Sequence, residues 1–289
     1  MTSTQRTQET AVRDACRRTG LSTAGLEVIR QHATGVYLLP TERAVARVRP
    51  AAESAAARML AELLRWLIGH GFPVVEPLAE PVEEPPYVVT LWSHYPQPTT
   101  PPPAGALGGI LRELHCLPEP PVALPSYQPL ASLTTSVKRS HTLETDECAW
   151  LVEMTDKLLY EYRQLDFPLG RGLIHGDAYP GNTLWDGEQV RLGDWDEVAV
   201  GPRELDLANT FQGVRYGRTA EEIQSFTDAY GHDPSPWPGL RTLVTMRDLH
   251  TLGSFIQRAD TGDQAAAAEL RHRLDTLRSG RPRAQWGRH

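Results

Sequence analysis

Hydrophobic and polar positions alternate early in this chain and take on a helical period later. Gly35-Val36-Tyr37-Leu38-Leu39 and Ala44-Val45-Ala46-Arg47-Val48 alternate on either side of Pro40-Thr41-Glu42-Arg43, which predicts a β-hairpin. Residues 6–20 read as an opening helix that ends near Gly20. Ala51 to His70 is rich in Ala, Leu and Glu and stops at Gly71, with Pro73 just beyond, the pattern of a strong helix with a clear stop. Tyr87-Val88-Val89-Thr90-Leu91-Trp92 is a β-rich run. Pro96 to Pro103 is too rich in proline for a central strand or a helix, so the boundary between two parts, 1–95 and 96–289, is placed at its start. The second part is mostly helical. Residues 105–117 and 146–164 are amphipathic, and weaker periodicity marks helices near 220–230, 240–258 and 262–279. Leu173-Ile174 and Thr183-Leu184-Trp185 read as short strands, and the turn dipeptide Asp186-Gly187 leads from the latter to Val190-Arg191-Leu192. There is no internal repeat. Strands with one helix, then a proline-rich hinge, then helices make an α+β, two-part layout.

The chemistry concentrates around those short strands. His175-Gly176-Asp177-Ala178-Tyr179-Pro180-Gly181-Asn182 is followed, after the expected hairpin, by Gly193-Asp194-Trp195-Asp196. A carboxylate and an amide five residues apart, with a second acid at the mouth of a hairpin, is the set that phosphoryl transfer requires. The protein-kinase catalytic loop has the same grammar, H-R-D-x-x-x-x-N and then D-F-G. Here Gly176 replaces the Arg, and Trp195-Asp196 replaces Phe-Gly. This variant resembles the aminoglycoside phosphotransferase family and its choline kinase-like relatives, kinase-like enzymes that phosphorylate antibiotics, choline and other small alcohols. Gly201-Pro202-Arg203-Glu204-Leu205-Asp206-Leu207-Ala208 is similar to the family's Gly-Pro…Asp-Leu-Ala element, and Leu111-Arg112-Glu113-Leu114-His115 to its helix ending in Leu-His.

The resemblance implies a protein-kinase-like fold, with an antiparallel sheet plus helix in the first lobe and a mostly helical second lobe. It implies Asp177 as the group that aims and deprotonates the acceptor hydroxyl, and Asn182 and Asp194 as magnesium ligands. Taken singly, each would read as a turn or cap residue; the spacing is what joins them. Asp196 fits either an added ligand or a cap, and Glu197 a solvated surface. His175 fits a brace for the loop, and Asp206 a helix cap or a tie on that loop. On the nucleotide side the strand lysine of kinases is matched by Arg47, with Arg49 as the competing candidate on the same strand face. Its acidic partner is expected at Glu62, with Glu53 as the alternative. No Gly-rich loop is present, so His32-Ala33-Thr34-Gly35-Val36 is the one candidate phosphate-covering turn, with Thr34 and Gly35 at its centre. Thr90-Leu91-Trp92-Ser93-His94 matches the hinge, where adenine would bond backbone groups beside Trp92 and His94. ATP, with GTP as the alternative, and magnesium are the implied cofactors.

Composition narrows the partners. A net charge of −7 disfavours nucleic acid, and Arg278, Arg281, Arg283 and Arg288 read as a solvated tail. No apolar run is long enough for a membrane span. The opening Met1-Thr2-Ser3-Thr4-Gln5 lacks the charged-then-apolar pattern of a signal peptide. Cys16, Cys116 and Cys148 are too far apart for a zinc site or disulfide framework, which fits a cytoplasmic protein, monomeric or homodimeric. Lys138 and Lys157 are the only lysines, so Arg carries the remaining positive charge. Residues 200–235 hold Glu204, Glu221, Glu222, Asp228 and Asp233, an acidic surplus that would suit a cationic acceptor. The small-molecule hydroxyl acceptor itself is not named by these residues. Two alternatives are a catalytically inactive kinase-like binding protein and a metal-dependent hydrolase built on His175 and Asp177.

Overall fold

The computed structural model describes residues 3–31 and 34–287. In chain order the elements are helix α1 (Ser3–Thr19), strands β1 (Glu27–Gln31), β2 (Gly35–Leu39) and β3 (Ala44–Pro50), helix α2 (Ser54–Gly69), and strands β4 (Val82–Glu84) and β5 (Tyr87–Ser93). Helices α3 (Ala104–Cys116), α4 (Ala131–Arg139) and α5 (Thr145–Arg163) follow, then strands β6 (Arg171–Ile174), β7 (Thr183–Asp186), β8 (Gln189–Leu192) and β9 (Ala199–Pro202). The chain continues through α6 (Glu204–Gln212), α7 (Ala220–Tyr230), α8 (Gly239–His250), α9 (Leu252–Asp260) and α10 (Gln264–Arg278). This is the α+β layout expected from the pattern. The elements divide into two compact units. One takes the chain up to Pro102 together with Pro118–Leu124 and Gly181–Trp195; the other takes Pro103–Leu117, Pro125–Pro180 and the chain from Asp196 onward.

The first unit is built on an antiparallel sheet of order β1-β2-β3-β5-β4. The expected hairpin is β2–β3, paired from Gly35↔Val48 to Leu39↔Ala44. Alternation sends Tyr37, Leu39, Ala44, Ala46 and Val48 to one face, where α1 covers them with Ala11, Val12, Ala15 and Cys16. Arg47 and Arg49 fall on the opposite face, which is why a strand this apolar can carry two arginines. Strand β5 lies inside the sheet, so Val88 through Leu91 are all buried, a continuous run rather than an alternation. Helix α2 buries Leu60, Ala61, Leu63, Leu64 and Leu67. The β7–β8 hairpin belongs to this unit because its end is tied to the segment after α2: Leu192 N–H donates to Pro73 C=O at 2.8 Å, and Val75 N–H to Leu192 C=O at 3.1 Å. Gln97 extends the pairing of β7 with its side chain, accepting from Trp185 N–H at 2.8 Å and donating to Trp185 C=O at 3.2 Å.

The second unit has its core in α4, α5, α6, α8, α9 and α10, filled by residues such as Leu133, Leu151, Leu158, Leu243, Leu249, Phe255 and Leu270. Its two short strands, β6 and β9, pair from Arg171↔Pro202 to Ile174↔Ala199. The single helix expected near 240–258 is divided into α8 and α9 at Thr251, whose hydroxyl donates back to Asp248 C=O at 2.9 Å. Such back-bonding competes with the helix ladder and bends it. Helix α4 and strand β9 have no strong pattern of their own and were not anticipated.

The end of the described chain is clasped to this unit. Arg215 donates to one oxygen of Asp248, Oδ2, through both Nη2 at 2.8 Å and Nε at 3.1 Å, with both side chains buried. Trp286 lies against the Arg215 and Arg273 guanidinium groups, 4.3 and 4.8 Å from its ring, and its indole N–H donates to Thr276 Oγ1 at 2.9 Å. Arg273 is also stacked on Phe255 at 4.0 Å. Trp286→Ala leaves two buried guanidinium faces uncovered and is expected to lower the thermal midpoint by on the order of 10 °C, from a loss of about 3–5 kcal/mol. An unchanged midpoint in a melting experiment would show that the clasp does not stabilise the fold.

Candidate active site

The division between units falls inside the motif, between Pro180 and Gly181, so Asp177 belongs to the second unit and Asn182 and Asp194 to the first. In the second unit the loop that carries Asp177 is organised by a carboxylate beneath it. Asp206, on α6, is fully buried and accepts from His175 N–H at 2.8 Å and from Gly176 N–H at 2.8 Å. His115, the end of the Leu-His element on α3, meets the same carboxylate through Nε2 at 3.1 Å and Tyr230 O–H through Nδ1 at 2.9 Å. With Nε2 on the carboxylate and Nδ1 on the Tyr230 hydroxyl, both ring nitrogens of His115 have a partner. Burial alone would raise the Asp206 carboxyl; the bond and charge of His115, then the charge and backbone N–H of His175, outweigh it and hold the group below the usual carboxylate range.

Two further features shape this loop. Gly176 has φ +83°, and a Cβ placed there would lie 2.2 Å from the Glu197 carbonyl oxygen. No side chain fits, which is the physical reason glycine stands where protein kinases carry Arg. His175 is buried, and its Nδ1 accepts from Asp177 N–H at 3.3 Å. This bond joins the ring to the backbone of the next residue but one. Asp177 Oδ1 accepts from Arg247 Nη2 on α8, and the Asp177 side chain keeps a quarter of its surface open.

The first unit holds the two expected metal ligands. Asn182 is buried at the start of the β7–β8 hairpin, and its carbonyl accepts from Gly193 N–H at 2.8 Å, which pins it beside Asp194. Asp194 has φ +57°, a left-handed conformation that Asp tolerates better than most residues but that still costs roughly 1–3 kcal/mol. Its carboxylate is half exposed and accepts from Arg47 Nη1 at 3.3 Å. Two hard oxygen donors suit magnesium, which keeps several waters and phosphate oxygens of its own. Asp196 is exposed, in the short turn after Trp195.

The remaining nucleotide-side residues are placed differently from the expectation. Glu62 stands on the exposed side of α2, opposite the Leu60–Leu67 stripe, and Asp194 is a carboxylate that Arg47 meets. The alternative pair, Arg49 and Glu53, does come together at 3.5 Å. Of the candidate phosphate-covering turn, His32 and Ala33 lie outside the described residues, as do Met1, Thr2 and Arg288. Gly35 is required by packing: a Cβ there would lie 2.8 Å from Gln8 Oε1 and 2.9 Å from the Tyr37 ring. Thr34 is half-buried in the bend before it. Along the hinge, Ser93 N–H donates to Glu76 C=O at 2.9 Å and His94 N–H to Arg43 C=O at 2.8 Å, so these two donors are already committed. The Trp92 indole donates to Thr90 Oγ1 at 2.9 Å.

The acidic surplus of residues 200–235 is largely spent on local structure. Glu204 is buried and accepts from Leu169 N–H at 2.6 Å; Glu222 closes a capping box with Thr219; Asp228 accepts from Gln224, and Asp233 from Ser235 N–H. It is therefore no sign of a cationic acceptor. Arg247 was missed by sequence reasoning. Its signal was a polar residue four positions after Leu243, on the side of α8 that buries Leu243 and Met246.

Asp206→Asn replaces one acceptor oxygen by an NH2 that would face an N–H donor, and breaking such a buried pair costs about 3–5 kcal/mol. Because the folded-state pKa is depressed, the carboxylate's contribution is complete above the unfolded value of about 4 and is lost as pH falls through the folded value. Melting curves against pH are expected to show the variant well below wild type at pH 7, with the gap closing below about pH 4. Equal midpoints at pH 7 would remove Asp206 as the organiser of this loop.

The profile of the phosphotransferase enzyme family matches residues 26–243. None of the curated proteins matches the chain in sequence. Among solved structures, the amicoumacin kinase hAmiN in complex with AMP-PNP, Ca2+ and Ami has a TM-score of 0.75 over 95% of both chains at 14% identity. The choline kinase LicA from Streptococcus pneumoniae has a TM-score of 0.68 at 13% identity, covering 93% of this chain and 99% of its own. The aminoglycoside phosphotransferase APH(3'')-Id from Streptomyces rimosus has a TM-score of 0.62 at 19% identity, covering 83% of this chain and 98% of its own. At such identities the likeness is one of fold, and the fold is kinase-like. With the family profile spanning most of its length, the chain belongs to the phosphotransferase enzyme family, the group of aminoglycoside phosphotransferase and choline kinase-like small-molecule kinases.

Proposed function

We propose that the protein transfers the γ-phosphate of ATP, or of GTP in its place, to a hydroxyl of a small molecule. The observation that carries this reading is the contact of Arg47 with Asp194: the cation expected to steady the nucleotide phosphates lies against the acid expected to hold the metal. Guanidinium offers paired donors that match phosphate oxygens, so Arg47 serves where kinases use lysine. Asn182 and Asp194 would hold magnesium, which supplies charge neutralisation across the bridged phosphates. The AMP-PNP and Ca2+ of hAmiN, and the ADP of a streptomycin complex of APH(3'')-Id, support a nucleotide and a divalent ion here.

Asp177 aims the acceptor oxygen at the phosphorus and takes its proton late in the transfer. Asp206 holds the backbone N–H groups of His175 and Gly176, and His175 Nδ1 accepts from Asp177 N–H itself, so the chain leading into that carboxylate is kept in position. The hydrolase alternative gains no support, because among the described residues no group of three or more His, Cys, Asp or Glu side chains is arranged to hold a metal ion. Among the described residues no helix is long and apolar enough to cross a membrane. With Cys16, Cys116 and Cys148 all free, a reducing cytoplasm is the proposed setting.

Thermal denaturation tests the nucleotide half. Magnesium with ATP at about a hundred times its dissociation constant is expected to stabilise the protein by roughly 2.7 kcal/mol, and Asp194→Ala to abolish the metal-dependent part. No shift with magnesium and either nucleotide would reject the reading. Turnover tests the other half: Asp177→Asn is expected to lower phosphoryl transfer to a panel of alcohols by about 100-fold or more while leaving the nucleotide-induced shift in place. Turnover equal to wild type would show that Asp177 is not the base.

A further inference from the structure

Phosphoryl transfer has no obvious use for Arg247, which meets Asp177 in the resting protein. The arginine projects from α8, its Nη2 donates to Asp177 Oδ1, and only 11% of its side chain is exposed. Its Nε is buried with no hydrogen-bond partner. An unfilled buried donor costs about 1–3 kcal/mol, and an ion pair whose acid keeps a quarter of its surface open returns only about 0–1 kcal/mol. Stability therefore does not account for this arginine. The resting arrangement leaves it partly satisfied, and a second arrangement that fills the fork would be better.

The charge around Asp177 points the same way. His250, three residues along α8, is pulled down to about 4 by burial and by the Arg247 charge, against the opposing pull of Asp177. It is neutral at physiological pH. Burial pushes the Tyr127 hydroxyl, which also feels Arg247, far up, so it too stays neutral. The guanidinium is thus the cation that these neighbours leave beside Asp177. An ammonium group brought next to the reacting hydroxyl would meet it as a like charge. A carboxylate would meet a rigid fork of donors suited to bidentate pairing.

Resting on the phosphotransferase reading, we infer that Arg247 is a specificity-determining residue that binds a carboxylate carried near the reacting hydroxyl, so that the acceptor is a hydroxy acid and not a polyamine. In the resting protein the fork is parked on Asp177. Re-pairing it with the acceptor's carboxylate gives Nε a partner and frees the Asp177 oxygen for the hydroxyl proton. One side-chain movement then both reads the acceptor and releases the base.

The test uses the full-length protein and three probes of one carbon skeleton: gluconate, glucitol and glucamine, which differ in charge at one end. Calorimetric titration of wild type is expected to give tightest binding for gluconate, weaker for glucitol by about ten-fold or more, and weakest for glucamine. Arg247→Gln is expected to bring gluconate and glucitol within about two-fold of each other, and Arg247→Lys to restore part of the preference. With magnesium and ATP, Arg247→Gln should raise KM for gluconate by about ten-fold or more with a smaller change in kcat. Equal or reversed binding of the three probes by wild type, no binding of any of them at ten-millimolar range (~10 mM, about the weakest affinity worth reading), or an unchanged preference in Arg247→Gln would each overturn the inference. The wild-type series needs no variant to fold. If gluconate is preferred but wild type and Asp177→Asn form ADP equally slowly, phosphotransfer fails and the carboxylate site stands.

Discussion

The second unit depends on one buried carboxylate. Asp206 lies at the start of α6, and three donors converge on it from α3 and from the loop after β6. Loops are the least determined parts of a fold, because their backbone groups have no ladder partners. Here the backbone N–H groups of His175 and Gly176 find a single acceptor that is itself immovable. The His115–Tyr230 relay then ties that acceptor to α7. The result is that Asp177 follows directly on two backbone N–H groups fixed to a buried acceptor.

Each unit also keeps an arginine on one of the motif's acids. Arg47 lies on Asp194 in one, and Arg247 on Asp177 in the other. Both acids are partly open, so neither pair is a deeply buried ion pair of the kind that costs several kcal/mol to form. The arginines hold their carboxylates at modest expense. In a chain whose only lysines are Lys138 and Lys157, the cation on Asp194 is a planar guanidinium and not a point charge. The two pairs differ in one respect. Arg47 comes from a strand of the sheet, where the pleat sets its direction, whereas Arg247 sits on a helix face otherwise used for packing.

The motif, the hairpin β2–β3, helix α2 and the turn between β7 and β8 were legible because each has a local cause: alternation, a helical stripe with a stop, or a dipeptide that demands a turn. His175 and Asp206 were legible as braces only through their place in a known pattern. Glu62 was misplaced because spacing along a helix does not reveal which side faces the sheet; the buried positions Leu60, Leu63, Leu64 and Leu67 turn it to solvent. The acids of residues 200–235 were counted as a field when most are caps, a difference that depends on backbone geometry and not on composition.

The sequence by itself therefore determined the fold class and the family, and singled out Asp177, Asn182 and Asp194 as candidates, because these rest on local periodicity and on short-range spacing within one loop and one hairpin. Tertiary structure alone decided which cations meet those acids. Arg47 and Asp194 are 147 residues apart, and Arg247 and Asp177 are 70 apart. Nothing local encodes such pairings. They arise when strands take their register and helix α8 its rotation, and both are set by burying apolar side chains whose positions carry no information about the charges they bring together.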